Sequence, residues 1–254
     1  MRIGRLAAGA AMIALLAGCS SDSSTPAESS PAATEVTIFA AASLKATFTE
    51  LGTQFEAAHP GTTVKFNFAG SSDLVAQLQQ GAPADAFASA DEANMDKAAD
   101  LLAAEPVIFA TNSMIIAVPP DNPANITEWD DLANDDVQVV VCAPEVPCGA
   151  ATVRVEENTG VELQPVSEEA SVTDVLNKVA TGEADAGIVY ITDVQAAGDT
   201  VVGIEIPAKG NAVNSYPIAV VANSTQAELA QEFQDLVVGP EGQKVMAEAG
   251  FGAP

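Results

Sequence analysis

Two serines stand at the same kind of junction in this chain. Ser43, in Phe39-Ala40-Ala41-Ala42-Ser43-Leu44, follows the apolar Val36, Ile38 and Phe39 and precedes Leu44, Phe48, Leu51 and Phe55 at helical spacing. Ser71, in Phe68-Ala69-Gly70-Ser71-Ser72, follows the alternating Val64, Phe66 and Phe68 and precedes Leu74, Val75 and Leu78. Each serine therefore falls where a strand gives way to a helix. The first backbone N–H groups of a helix have no intrahelical partner and its dipole presents positive potential there, so a hydroxyl at that point joins several donors that suit an anion. Capping its own helix is what either serine does by itself. Two copies of the arrangement point to a shared ligand. Nucleophilic chemistry at either serine needs a base and a group to orient it. The only histidine, His59, lies beside Pro60 at the end of a helix and is assigned no role.

The elements that position these serines continue in alternation. Gly81 to Asp85 reads as a turn, Ala86 to Ser89 as a short buried strand and Glu92 to Ala99 as a helix. Such βαβ order predicts a parallel sheet covered on both faces. Val107 to Phe109 and Met114 to Val118 read as two strands, ended by Pro119-Pro120. A second alternation follows: strand 137–141, a helix from about Ala150, a strand near 164–166, helix 172–180 and strand 186–190. Strand 215–221 then returns to the first set, closed by helices 226–237 and 241–249. The expected fold class is α/β with two lobes, each a mostly parallel sheet flanked by helices, and a ligand cleft between them. Lobe 1 comprises residues 36–117 and 217–254, and lobe 2 residues 118–216. Two crossings make a hinge, and a hinge makes a cleft.

Residues 1–18 carry Arg2 and Arg5 ahead of a short apolar run, the pattern of a secretory signal. Leu16-Ala17-Gly18-Cys19 resembles a bacterial lipobox, which implies lipidation at Cys19 and an exported chain anchored on the outer face of the cell membrane. Residues 19–35, rich in Ser, Pro and Ala, read as a flexible tether. The net charge of −26 becomes −26 − 2 = −28 without the two arginines of the leader. That balance excludes a basic nucleic-acid or anionic-lipid surface. An anion site in such a chain must be local, built from neutral dipoles aimed into a closed space.

The runs TIFAAASLKATFTELGTQFEAAHPG, FNFAGSSDLVAQLQQGAPADAFASADEANMD and EADAGIVYITD resemble the molybdate-binding proteins of bacterial ABC importers, a periplasmic-binding-protein type II family. The resemblance runs from about Val36 to Phe251. It implies capture of molybdate, and of tungstate, for delivery to an ABC permease, by a monomer that is not an enzyme and holds no cofactor. It implies an oxyanion held by Ser43, Ser71, the backbone N–H groups of Cys148 and of a residue near Val172, and the Tyr190 hydroxyl; these five are the expected contacts of the metal, which is bound as the molybdate oxyanion through its oxygens. Asp85 and Asp91 resemble family positions but would repel a dianion, so they are expected in turns and caps. Cys148 replaces an alanine in the family's Val-Pro-Ala-Gly turn. Cys142 and Cys148 are the only cysteines besides Cys19, and in an exported chain a disulfide between them is favoured over free thiols; a metal site would need further soft ligands nearby. The alternative ligands are another tetrahedral oxyanion, sulfate or phosphate, and less readily a ferric ion.

Overall fold

The computed structural model describes residues Thr34–Pro254. The leader, Cys19 and most of the proposed tether lie outside them. Thr34 and Glu35, assigned above to the tether, instead open strand β1 (Thr34–Ala41) and pair with Thr62 and Thr63 of β2 (Thr62–Ala69).

β1 runs through a single 3-10 turn, Ala42–Leu44, into helix α1 (Lys45–Ala58). β2 leads to α2 (Ser71–Gln79), β3 (Ala86–Ala88) and α3 (Glu92–Asp96). β4 (Val107–Val118) carries the chain onward to β5 (Val139–Cys142), α4 (Pro147–Thr159), β6 (Ser167–Glu169), α5 (Val172–Ala180) and β7 (Ala186–Tyr190). After α6 (Ile191–Ala197) and β8 (Val202–Glu205), β9 (Val213–Val220) returns, followed by α7 (Ala227–Val238) and α8 (Pro240–Glu248). The strands lie in the order β2-β1-β3-β9-β4-β7-β5-β6, with β8 on β4. β1 is parallel to β2 and β3, and β5 is parallel to β6 and β7, whereas β4 and β9 run antiparallel to their neighbours.

β4 and β9 pair with each other from Val107↔Ile218 to Ser113↔Val213; from Met114 onward β4 pairs with β7 and β8. The packing changes at the same place. One core is drawn from residues between Met114 and Ala212, and the cores at the other end come from residues between Val36 and Ala110 and from Tyr216 to Phe251. In the latter, Phe48, Leu51 and Phe55 line one face of α1, and the Phe48 ring meets Phe233 at 5.7 Å and Phe109 at 5.8 Å between centroids. Burying each such ring contributes roughly 2–3 kcal/mol.

Several sequence expectations change. The two strands around 107–118 are one, because polar Thr111, Asn112 and Ser113 do not break the ladder; the Asn112 amide is satisfied by Thr192 Oγ1 at 2.8 Å. The strand expected near 164–166 is β6, three residues later, an edge strand of polar residues whose pairing with β5 carries it. α4 begins at Pro147 rather than Ala150, since proline needs no N–H in the first turn and its φ is already helical. α3 stops at Asp96, followed by a 3-10 turn at Ala99–Leu101. α6 and β8 had no counterpart in the sequence reading.

Candidate functional site

Ser43, Ser71, Cys148, Val172 and Tyr190 line one small cavity, together with Ala41, Ala42, Gly70, Ala90, Val146 and Pro147. Residues of the two ends of the molecule face each other across it. Its volume is about 10 Å3, far below the roughly 300 Å3 at which pockets for organic ligands begin. A much larger groove of about 590 Å3 lies beyond Ser43, lined by Lys45, Leu176, Asp193 and Phe251 among others. It shares only Ala42 and Ser43 with the small cavity, and donors converge in the latter.

The fold aims those donors. Ser71 is the first residue of α2, Val172 the first of α5, and Cys148 the second of α4, so three helix N-termini border one space. Each presents about half a positive charge and free N–H groups. Ser43 sits in the turn that enters α1. No lysine, arginine or carboxylate lines the cavity among the described residues, so its positive potential comes from backbone dipoles.

The hydroxyls have partners behind them. Ser71, 1 % exposed, accepts from the Ala90 N–H at 3.0 Å. Ser43 Oγ lies 3.0 Å from the Tyr216 hydroxyl. The Tyr190 hydroxyl accepts from Asn214 Nδ2 at 2.9 Å. Burial, and then the neighbouring Tyr216, Asp193 and Asp91, push the Tyr190 hydroxyl well above the usual tyrosine range, so it keeps its proton. Asp193, which accepts from the Tyr190 N–H at 2.9 Å, is itself raised by burial to about 7.

Asp85 and Asp91 hold structure. Asp85 accepts from the Thr37 N–H at 2.8 Å and the Ser224 hydroxyl at 2.6 Å, and Asp91 caps α3 through the Asn94 N–H at 2.9 Å. His59 is tied to Glu232 at 2.9 Å and to the Phe55 carbonyl. Asn112, Asn214, Tyr216 and Asp193 also stand around these hydroxyls, and no sequence motif named above marks them as site residues. Asparagines inside otherwise apolar strands were the available signal.

Cys142 and Cys148 form the disulfide expected from their isolation, with Cα atoms 5.7 Å apart. The bond joins the end of β5 to the first turn of α4 and so fixes the backbone at Cys148. Replacing both cysteines by serine should cost about 2 kcal/mol of folding stability, the scale for so short a loop. Urea unfolding of the oxidised protein and the double variant measures it; equal midpoints would mean the bond adds nothing.

Helix N-termini from both ends of a molecule, meeting at a small space beside two linking strands, define a solute-binding protein of the periplasmic type II fold. The chain belongs to the family of bacterial extracellular solute-binding proteins, whose model matches residues 36–252. It is 48% identical over 249 residues to the molybdate-binding protein ModA of Mycobacterium tuberculosis, covering 96% of this chain and 95% of that protein. Among solved structures it superposes on the periplasmic molybdate-binding protein of Azotobacter vinelandii with a TM-score of 0.76 at 21% identity, over 86% of this chain and 99% of that one. The sulfate-binding protein SubI of Mycobacterium tuberculosis superposes equally well, with a TM-score of 0.77 at 21% identity over 86% of each chain. The fold is thus shared by proteins for two different oxyanions, and the site must separate them.

Proposed function

We infer that this chain captures molybdate outside the cytoplasm and delivers it to an ABC permease, with tungstate, of the same shape and charge, as a second ligand. The observation that carries this reading is the small cavity itself, lined by hydroxyls and helix N-termini and by no charged side chain among the described residues. A deprotonated tetrahedral dianion offers only acceptors, and this shell can meet them with hydroxyl and backbone N–H donors. The 48% identity to a protein named for molybdate binding supports the choice of anion. Sulfate is the second reading, favoured by the likeness to SubI. A ferric ion fits poorly, because among the described residues no carboxylate lines the cavity and Tyr190 is the only tyrosine that does.

In this reading Ser43, Ser71, the Cys148 and Val172 N–H groups and Tyr190 each hold an oxygen, and no bond is made or broken. Residues 36–117 with 217–254, and residues 118–216, act as two lobes that close on the ligand about β4 and β9. The chain works as a monomer tethered through a lipid on Cys19.

Calorimetric titration with molybdate, tungstate, sulfate and phosphate in turn tests the ligand. Ser43→Ala and Ser71→Ala should each cost about 1.5–3 kcal/mol of molybdate affinity, the worth of a hydroxyl donor to a charged, desolvated oxygen. Small-angle scattering on the same samples should show the radius of gyration fall on binding. Unchanged affinity in both variants would place the site elsewhere, and tighter binding of sulfate than of molybdate would make sulfate the ligand.

A further inference from the structure

A second layer of residues stands behind the hydroxyls of the cavity and bonds to them. The case is clearest behind Tyr190. Asn214 in β9 is 3 % exposed, and its Nδ2 faces three acceptors: the Tyr190 hydroxyl at 2.9 Å, the Ala90 carbonyl at 2.9 Å and the Pro147 carbonyl at 3.2 Å. Its Oδ1 accepts from the Arg154 guanidinium, which also donates to the Val213 carbonyl at 3.4 Å. Guanidinium can only donate and carbonyls can only accept, so the carboxamide has one permitted orientation. Held that way, Asn214 donates to Tyr190. The tyrosine oxygen is then an acceptor on that side, and its own proton turns away from Asn214, to the side of the cavity it lines and of the Tyr216 hydroxyl.

The same logic recurs at Ser71. The Ala90 N–H occupies an acceptor position of Ser71 and frees its proton. Behind Ser43 stands the Tyr216 hydroxyl, 3.0 Å away, to which Asn112 Nδ2 donates at a long 3.5 Å; either hydroxyl of the Ser43–Tyr216 pair can be the donor. Asn112 is oriented by the Ser113 N–H on its Oδ1. Asn112 and Asn214 sit directly opposite each other in the β4/β9 ladder.

We propose that Asn214, locked by Arg154, is a positioning residue that makes the Tyr190 hydroxyl an obligate donor toward the cavity, and that this polarity restricts the site to oxyanions carrying no proton. The inference rests on the oxyanion reading above. A protonated phosphate brings a donor of its own and would meet the Tyr190 proton head to head, leaving a buried donor unpaired. Molybdate, tungstate and sulfate bring none.

The test is a double-mutant cycle read by calorimetry with molybdate and with inorganic phosphate near neutral pH. It uses wild type, Asn214→Ala, Arg154→Leu and Tyr190→Phe, together with Tyr190→Phe combined with each of the other two. Asn214→Ala should lower molybdate affinity about tenfold or more in the wild-type background, the scale of one hydrogen bond to a charged group. In the Tyr190→Phe background the same change should cost at least about threefold less, because no hydroxyl remains to be aimed and only the bonds to the Ala90 and Pro147 carbonyls are lost. The preference for molybdate over phosphate should shrink in Asn214→Ala. Arg154→Leu, at a half-buried position on α4, should lose about threefold, and that loss should also vanish with Tyr190→Phe. Equal losses in both backgrounds would overturn the proposal, since packing or the bare field of Arg154 does not depend on the Tyr190 hydroxyl. If Asn214→Ala does not fold, the Arg154→Leu pair decides alone. Wild-type protein that binds none of the oxyanions would overturn the ligand reading itself, and the inference with it.

Discussion

Gly149→Ala should abolish tight binding while leaving every proposed ligand group in the sequence. Gly149 lies in the first turn of α4, and a Cβ built on it would collide with the backbone carbonyls of Ala143 and Cys142. A side chain can rotate away from such a contact, but these carbonyls cannot. The Ala143 carbonyl accepts from the Val146 N–H at 2.9 Å, and the Cys142–Cys148 bond ties the loop at both ends. Relief must come from moving the first turn of α4, which carries Val146, Pro147 and Cys148 into the cavity wall. Overpacking against backbone costs about 3 kcal/mol of stability. The displaced Cys148 N–H should cost molybdate affinity about a hundredfold, equivalent to about 2.8 kcal/mol. Urea unfolding and calorimetry on the one variant read both quantities. A variant as stable as wild type that binds within about threefold of it would show that the turn is not held as tightly as this.

Asp193→Asn should make the protein more stable above pH 7 and remove a component of its pH dependence. The Asp193 carboxyl is 7 % exposed, and burial raises it from 3.8 to about 7, partly offset by the bond from the Tyr190 N–H. Below pH 3.8 both folded and unfolded chains hold the proton, so burial of the neutral acid carries no ionic penalty. Between 3.8 and about 7 the unfolded chain releases its proton while the folded chain keeps it, and stability falls as pH rises. Above about 7 the folded carboxylate is ionised and buried, and the loss levels off. A displacement of about 3 pH units corresponds to at most about 4 kcal/mol. Tyr190 and Tyr216, which face Asp193, are both raised by burial and stay neutral throughout this window. Asparagine retains an oxygen for the Tyr190 N–H and cannot ionise. Melting temperatures of both proteins from pH 4 to pH 8 should therefore diverge steadily in favour of the variant up to about pH 7. A variant less stable than wild type at pH 8 would mean that the ionised carboxylate is stabilised by partners outweighing its burial.

Much of this molecule could be read from local pattern. The spacing of Phe48, Leu51 and Phe55, and the alternation of Val64, Phe66 and Phe68, place Ser43 and Ser71 at strand-to-helix junctions whatever surrounds them. Two cysteines six residues apart in an exported chain announce their pairing, because oxidation needs only proximity and the backbone between them is short. Tertiary structure decided the rest. Whether Thr111, Asn112 and Ser113 interrupt a strand depends on Thr192, which is 80 residues from Asn112 and satisfies its amide. The pairing of Ser167–Glu169 depends on β5, since those polar residues carry no strand signal of their own. Above all, the layer behind the cavity comes from register. Asn112 and Asn214 become neighbours only when β4 and β9 pair, and only then do Tyr216 and Tyr190 acquire their amide donors. Periodicity records which face of an element is buried, whereas the polarity of a buried hydroxyl depends on a partner that long-range pairing brings to it.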